Sequence, residues 1–345
     1  GERFNLKATS LIINEDTLES VRIRTRGKST LFMRRKSYSI ILGSNATFYN
    51  GGEKEKFKKF YLLGLSMDKN YCSNCLAFRL MEHSGLFELF HSFCELRING
   101  QSEGICMVVE RPEDWALKKK DSPLLIRRGF NNEIEKLKSA GKTEKDVTKY
   151  YRNIFRQMYR ALDRYEGEEL YKLLSDWLDI DAYMKWLAFN LFIRNGDYTD
   201  EVFFFVDPAT GKYDIIPWDY DDLFAKTPHE GKTDNLKSSE GRLIFSTEDK
   251  LDRKIVTDPY LYKMYLVQFA ELMNDLSPDV LKQAVESTYS ELYPYYTNYE
   301  IISTSKYDLR KETDLSELKS YLLKVYGQLA VYRTMYLRRI EESRE

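Results

Sequence analysis

Up to about residue 45 the chain alternates apolar and polar positions in short runs, as at residues 10–14 and 18–25, broken by turn formers. That period of two predicts strands. Arg34, Arg35 and Lys36 lead into a further strand at 37–42, and residues 51–59, rich in Gly and Lys, read as a turn. Between 72 and 84 the apolar positions Cys75, Leu76, Phe78, Leu80 and Met81 suit a helix, with Gly85 as its C-cap. Residues 95–98 and 105–110 are strands joined at Asn99-Gly100, a strong hairpin signal.

Beyond about residue 115 the period lengthens. Helices are predicted at 143–164, with Thr143 as N-cap, and at 168–178. A strongly apolar helix at 180–194 stops at Asn195-Gly196. A two-stranded ribbon follows at 202–206 and 213–216, turned at 207–212, and further helices near 260–274, 278–293 and 314–342. The expected fold class is α+β, with a small β-rich lobe over 1–114 and a larger helical lobe over 115–345.

Composition narrows the classes. At 345 residues and 43% apolar the chain can bury a sizeable core, which excludes disorder and disulfide-stapled mini-folds. Its 53 basic and 54 acidic side chains nearly cancel, so no general field draws it to nucleic acid or to an anionic membrane. No run approaches the roughly 20 apolar residues of a membrane span. The start, Gly1-Glu2-Arg3 without an initiator Met, reads as one from which a leader was removed, which favours an extracytoplasmic location. Cys72 and Cys75 form one Cys-x-x-Cys, followed by His83, His91, Cys94 and Cys106. Zinc sites of regular spacing pair two such clusters, so buried or free thiols are expected.

Candidate chemistry concentrates in NGDYTDEVFFFVDPATGKYDIIPWDYDDLF, residues 195–224. Asp197 sits just past a buried helix, and Asp219 and Asp221 just past a buried ribbon. Carboxylates emerging from rigid apolar elements suit catalysis or a metal. Phosphoryl transfer needs one carboxylate to orient the attacking hydroxyl and another to hold Mg²⁺. The simpler readings are an ordinary Asn-Gly-Asp turn, a solvated acidic loop or a Ca²⁺ site. A second cluster is RTRGKSTLFMRRKSY, residues 24–38, where a Gly between strands can bring backbone amides to a phosphate beside Lys or Arg. The P-loop spacing is absent, and a basic surface hairpin explains the same residues. No Ser/His/Asp or Cys/His hydrolase pattern stands out among three His.

Taken in order, RTRGKST, RRKSY, LRINGQSEGICMVVE (96–110), NGD and IIPWDYDD resemble the CotH family of spore-coat-type, protein-kinase-like proteins, over about residues 15–225 with an echo at 258–273. The resemblance implies a two-lobed protein-kinase-like fold that binds ATP with Mg (or Mn) and phosphorylates Ser or Thr of a protein substrate. It implies Asp197 as the catalytic Asp and Asp219, or Asp221, as the metal ligand after the ribbon. Lys36 or Arg35 becomes the phosphate partner, Gly27 with Ser29 the phosphate-facing turn, and Glu110 the strand end where the adenine edge binds. Members usually carry Asn four or five residues after the catalytic Asp, where this chain has Glu201 and Val202. Glu201 or Asp200 can still supply a metal oxygen, whereas Val202 cannot. The alternative is therefore a catalytically silent scaffold with an envelope partner. A carboxylate hydrolase using Asp197 and Asp219 has little else to support it. Residues 225–254, polar and Gly-containing, are expected to be mobile as an activation segment.

Overall fold

In a computed structural model the described residues are 5–14, 16–27, 29–50, 53–68, 70–129, 133–229, 241–306 and 314–344. They form an α+β chain that divides into two compact units. The first unit holds residues up to Phe78, Glu88–Arg111 and Gln283–Val325. Its six-stranded antiparallel sheet runs β1-β2-β3-β4-β6-β5. The strands are β1 (Asn5–Ile13), β2 (Asp16–Arg26), β3 (Ser37–Asn50), β4 (Glu53–Leu63), β5 (His91–Ile98) and β6 (Gln101–Glu110). Period two puts Ile40 and Leu42 of β3 in one buried layer with Phe60 and Leu62 of β4, joined by Phe48, Phe57, Phe90 and Val108. β6 lies between β4 and β5 and is buried from Ser102 to Glu110, which explains its unbroken apolar run. Asn99 and Gly100, both at positive φ, turn β5 into β6 in two residues.

Helix α1 (Ser73–His83) starts where the Asp68 carboxylate accepts the N–H groups of Cys72 and Ser73, at 3.1 and 2.6 Å. It ends as the sequence predicts, at Gly85 with φ 66°, where Leu86 N–H returns to the Met81 carbonyl.

The second unit holds Arg79–Phe87, Pro112–Lys282 and the residues from Tyr326 on. Its sheet runs β10-β9-β7-β8, built from β7 (Leu124–Arg128), β8 (Ile134–Ser139), β9 (Val202–Val206) and β10 (Tyr213–Pro217). Helices α2 (Lys145–Ala161), α3 (Gly167–Trp177), α4 (Ile180–Ile193), α5 (Lys250–Thr257) and α6 (Pro259–Asp275) belong to it. Helices α7 (Pro278–Thr297), α8 (Tyr299–Thr304) and α9 (Leu315–Arg344) complete the chain. α4 is buried on nearly every side, as a helix apolar all round must be. Among the described residues no helix is long and apolar enough to cross a membrane.

Three local expectations change. Residues 53–59 are not a turn but part of β4, because Phe57 and Phe60 face the sheet core while the lysines between them face outward. Thr143 does not cap α2; its hydroxyl donates to the Pro123 carbonyl at 3.0 Å, and Glu144 holds the cap position. The ribbon of β9 and β10 is not isolated, since β9 also pairs with β7. That partner strand carries little local signal, because its run is short and ends in two arginines. Residues 230–240 of the segment expected to be mobile lie outside the described residues, as do Lys28, Gly51 and Gly52.

Glu113, at the start of the second unit, is buried, and Lys136 and Lys138 of β8 reach its Oε1 at 2.8 and 2.7 Å. Burial alone raises its pKa, but the two ammonium groups outweigh burial and hold it well below the ordinary 4.5. Burial, with the like charges of Lys138 and Arg127, lowers Lys136 despite the lift from Glu113, so the pair contributes less than the carboxylate alone suggests. With a depressed folded-state pKa, the unfolded chain takes up the proton first as pH falls. The stabilisation is thus complete above the ordinary value and is lost below it. Urea unfolding at stepped pH should show the acid decline below about pH 4.5 flattened in Glu113→Gln; an unchanged slope would assign the decline elsewhere.

Candidate catalytic and metal-binding site

The second unit gathers the acidic candidates around the end of α4. Arg194 closes that helix in a left-handed conformation, and fully buried Asn195 follows. The Asn195 side chain does three things: its Oδ1 accepts the Asp197 N–H at 3.2 Å, and its Nδ2 donates to Asn190 Oδ1 at 3.3 Å and to the Asp219 carbonyl at 3.4 Å. One amide therefore joins the helix end, the Asp197 loop and the Asp219 loop. Backbone bonds add to this, from Gly196 N–H to the Asp222 carbonyl and from His229 N–H to the Gly196 carbonyl, each 3.0 Å. The Asp222 side chain lies so close that a Cβ on Gly196 would meet its Oδ2 at 1.8 Å, so any larger residue before Asp197 would have to displace that carboxylate.

Residues 198–201 are pinned at every position. The Tyr198 hydroxyl donates to the Ser246 carbonyl at 2.9 Å, and Arg128 Nε donates to the Thr199 carbonyl at 2.7 Å. Arg127 Nε donates to the Asp200 carbonyl at 3.2 Å and its Nη2 pairs with Glu201 Oε1. The Glu201 carbonyl accepts from Trp218 N–H at 3.0 Å, tying the loop to the end of β10. Glu201 Oε2 is buried with no hydrogen-bond partner among the described residues. Burial, first, and then the nearby Asp219 carboxylate push the Glu201 pKa well above the usual carboxylate range; Arg127 opposes this, and Asp200 and Asp197 add to it. Asp197, Glu201 and Asp219 thus share one electrostatic neighbourhood. Asp219 itself holds φ 57°, a left-handed conformation unusual outside glycine. Asp221, two residues on and half-buried, is not among the charges that act most on Glu201.

The phosphate-facing candidates lie in the first unit. Gly27 has φ 105°, and a Cβ there would sit 1.8 Å from Thr30 Oγ1, so the turn after β2 requires glycine. Ser29 opens the short 3-10 turn Ser29–Phe32. The Lys36 ammonium donates to the carbonyls of Leu31 and Met33, both at 2.6 Å, and so closes that turn. Arg35 donates to the Leu65 carbonyl at 3.0 Å and to the Tyr71 hydroxyl, its guanidinium 4.5 Å from that ring. Glu110 is buried at the end of β6, opposite Phe60, and its N–H donates to the Phe90 carbonyl at 3.0 Å. Lys36 is thus a turn-ordering residue, and both cations are engaged by protein oxygens.

Sequence reading missed Asn195 as a brace, and it missed Arg127 and Arg128. The available signal was the run LLIRR at 124–128, where two arginines end a strand too apolar to be on the surface.

Comparison with known proteins agrees with these motifs. The family described as CotH kinase protein matches residues 23–326. The inner spore coat protein H of Bacillus subtilis is 19% identical over 280 residues, covering 75% of each chain. Among solved structures, a chain from the HipA–HipB operator DNA complex of Shewanella oneidensis is 14% identical with a TM-score of 0.35. The match covers 89% of this chain and 65%, just under two thirds, of that one.

Proposed function

The chain belongs to the CotH family, and on that premise we propose that it is an atypical kinase that transfers the γ-phosphate of ATP to a Ser or Thr hydroxyl of a protein substrate. The observation that carries this is the convergence of Asp197, Glu201 and Asp219, with Glu201 Oε2 buried and without a hydrogen-bond partner among the described residues. A donor set made only of carboxylate oxygens fits a hard divalent cation, Mg²⁺ or Mn²⁺. Asp219 and Glu201 would hold it, with Asp221 as the alternative to Asp219. When bound, the metal neutralises the triphosphate and keeps it in line for transfer.

Asp197 accepts the proton of the substrate hydroxyl as its oxygen bonds to the γ-phosphorus and the bond to the β,γ-bridging oxygen breaks, leaving ADP. Asn195 keeps Asp197 in place for that role. Arg127 neutralises part of the charge on Glu201, so that three carboxylates can crowd together before the cation arrives. In the first unit, Gly27 and Ser29 would present the turn to the phosphates, Lys36 would order it, and Arg35 would supply countercharge. Glu110 would mark the adenine-facing strand end. Likeness to a spore coat protein supports a bacterial coat or envelope protein as the substrate.

One observation favours a second reading. Arg127 already occupies one oxygen of Glu201, the residue standing near the Asn usual in the family, and an arginine there competes with a cation. A silent, kinase-shaped scaffold would result. Isothermal titration of ATP into the protein with Mg²⁺ or Mn²⁺, followed by an autophosphorylation assay, separates the two. Metal-dependent binding and phosphate incorporation are expected; binding without transfer would establish the scaffold, and no binding by folded protein would remove the nucleotide altogether.

A further inference from the structure

Within the first unit, three side chains from distant parts of the sequence point their ligand atoms at one spot. Cys75 comes from the first turn of α1, His91 from the first position of β5 and Glu291 from the middle of α7. Cys75 is fully buried and His91 nearly so, while Glu291 is half-buried. Cys75 Sγ lies 3.8 Å from His91 Nε2 and 3.5 Å from Glu291 Oε2. A tetrahedral zinc ion, with bonds of about 2.3 Å to sulfur and about 2.0–2.1 Å to nitrogen or oxygen, spaces its sulfur about 3.5–3.6 Å from each other ligand atom. The two sulfur edges lie at or slightly above that value, and all three ligand atoms fall within 4.8 Å of one another.

The imidazole is also set up for ligation. His91 Nδ1 lies 3.0 Å from the Leu89 carbonyl, which can only accept, so Nδ1 carries the proton and the Nε2 lone pair faces Cys75. This ring-to-carbonyl bond is the support that metal-bound histidines use. Phe78 packs 5.1 Å from the ring and restricts its rotation. Thr288 Oγ1 lies 4.0 Å from Sγ and donates to the Ala284 carbonyl on its own helix.

We propose that Cys75, His91 and Glu291 form a zinc site that ties α1, β5 and α7 together, with a fourth position left to water. One soft sulfur, one imidazole nitrogen and one carboxylate oxygen select zinc over magnesium or calcium, which take oxygen ligands in larger numbers. Binding displaces the thiol proton of Cys75, so the thiolate bonds the metal and one proton leaves to solvent. The acidic cluster of the second unit offers oxygen alone and cannot produce this signature, so the two sites are distinguishable in one experiment.

The test is titration of chelator-treated protein with Co²⁺ under reducing, anaerobic conditions, followed by displacement with Zn²⁺. One equivalent of cobalt should give a thiolate-to-cobalt charge-transfer band that zinc abolishes. Cys75→Ser should lose the band and Cys72→Ser should keep it. His91→Gln and Glu291→Gln should bind more than about tenfold more weakly. Zinc should raise the melting temperature of the wild type and not of Cys75→Ser. Circular dichroism establishes that each variant is folded, and Glu291→Gln, isosteric and half-buried, keeps the affinity comparison interpretable if Cys75→Ser unfolds. Absence of the band in folded wild type would overturn the site. So would its persistence in Cys75→Ser or an unchanged affinity in Glu291→Gln.

Discussion

Asp219→Asn is expected to abolish metal-dependent ATP binding, and with it any phosphate transfer, while Asp197→Asn should keep binding and lose about 10²–10⁴-fold in turnover. The two carboxylates differ in what they do. Asp219 acts on Glu201 more than any other charge, so it belongs to the pair that would hold the cation. Asparagine tolerates the left-handed backbone at that position, so the exchange removes charge without adding strain. Asp197 is half-buried and its N–H is held by Asn195, which orients its carboxylate through the chain. Losing its charge removes the proton acceptor and leaves the cation ligands intact. Titration calorimetry with Mn²⁺ and ATP, beside a turnover assay, reads both effects. Full ATP affinity in Asp219→Asn would transfer the metal role to Asp221, and undiminished turnover in Asp197→Asn would remove it as the base.

Arg128→Met should cost about 3–5 kcal/mol of stability, measured by urea unfolding. The guanidinium is fully buried at the end of β7, with Asp249 Oδ1 at 3.3 Å and the two oxygens of Asp252 at 3.3 and 3.4 Å. It also donates to the Tyr183 hydroxyl and, at 2.7 Å, to the Thr199 carbonyl. Methionine fills the volume but leaves two buried carboxylates without their counter-ion, held by Tyr183, Tyr159 and the Leu251 N–H, and the Thr199 carbonyl without the Arg128 donor. Lysine should not rescue, because a single ammonium cannot reproduce the fork. Burial already raises Asp252 to about 6 against the pull of Arg128. The folded state therefore holds that proton more tightly than the unfolded chain, and folding gains as pH falls between about 6 and the ordinary 3.8. Without Arg128 the pKa rises further, so the deficit of Arg128→Met should shrink in mildly acidic buffer. A deficit under 1 kcal/mol (small beside the roughly 3–5 expected for a broken buried pair), or one that deepens in acid, would contradict this account. Because Thr199 lies between Asp197 and Glu201, cation binding should weaken in the same variant.

Much of this was legible from local pattern. Alternation in the first 45 residues, the Asn99-Gly100 turn, Gly85 beyond α1 and the apolar run of α4 are set by residues within a few positions of each other, and period and φ preference express them directly. The motifs that carry the family resemblance were readable for the same reason. Each is a short segment whose chemistry and spacing survive without knowledge of its neighbours.

The tertiary structure decided what depends on partners far along the chain. β7 could not be recognised from LLIRR, because two arginines end a buried strand only when carboxylates from residues 201, 249 and 252 meet them. Asn195 looked like an ordinary turn residue until the Asp219 loop closed against its amide. A Cys-x-x-Cys ordinarily pairs with a second such cluster at a zinc site, yet the atoms beside Cys75 belong to a histidine 16 residues away and a glutamate 216 residues away. Backbone conformation is governed by neighbours in sequence, whereas charge neutralisation and ligand geometry are governed by neighbours in space. The sequence therefore determined the α+β architecture and the location of the acidic segment, and folding alone determined which charges those acids face.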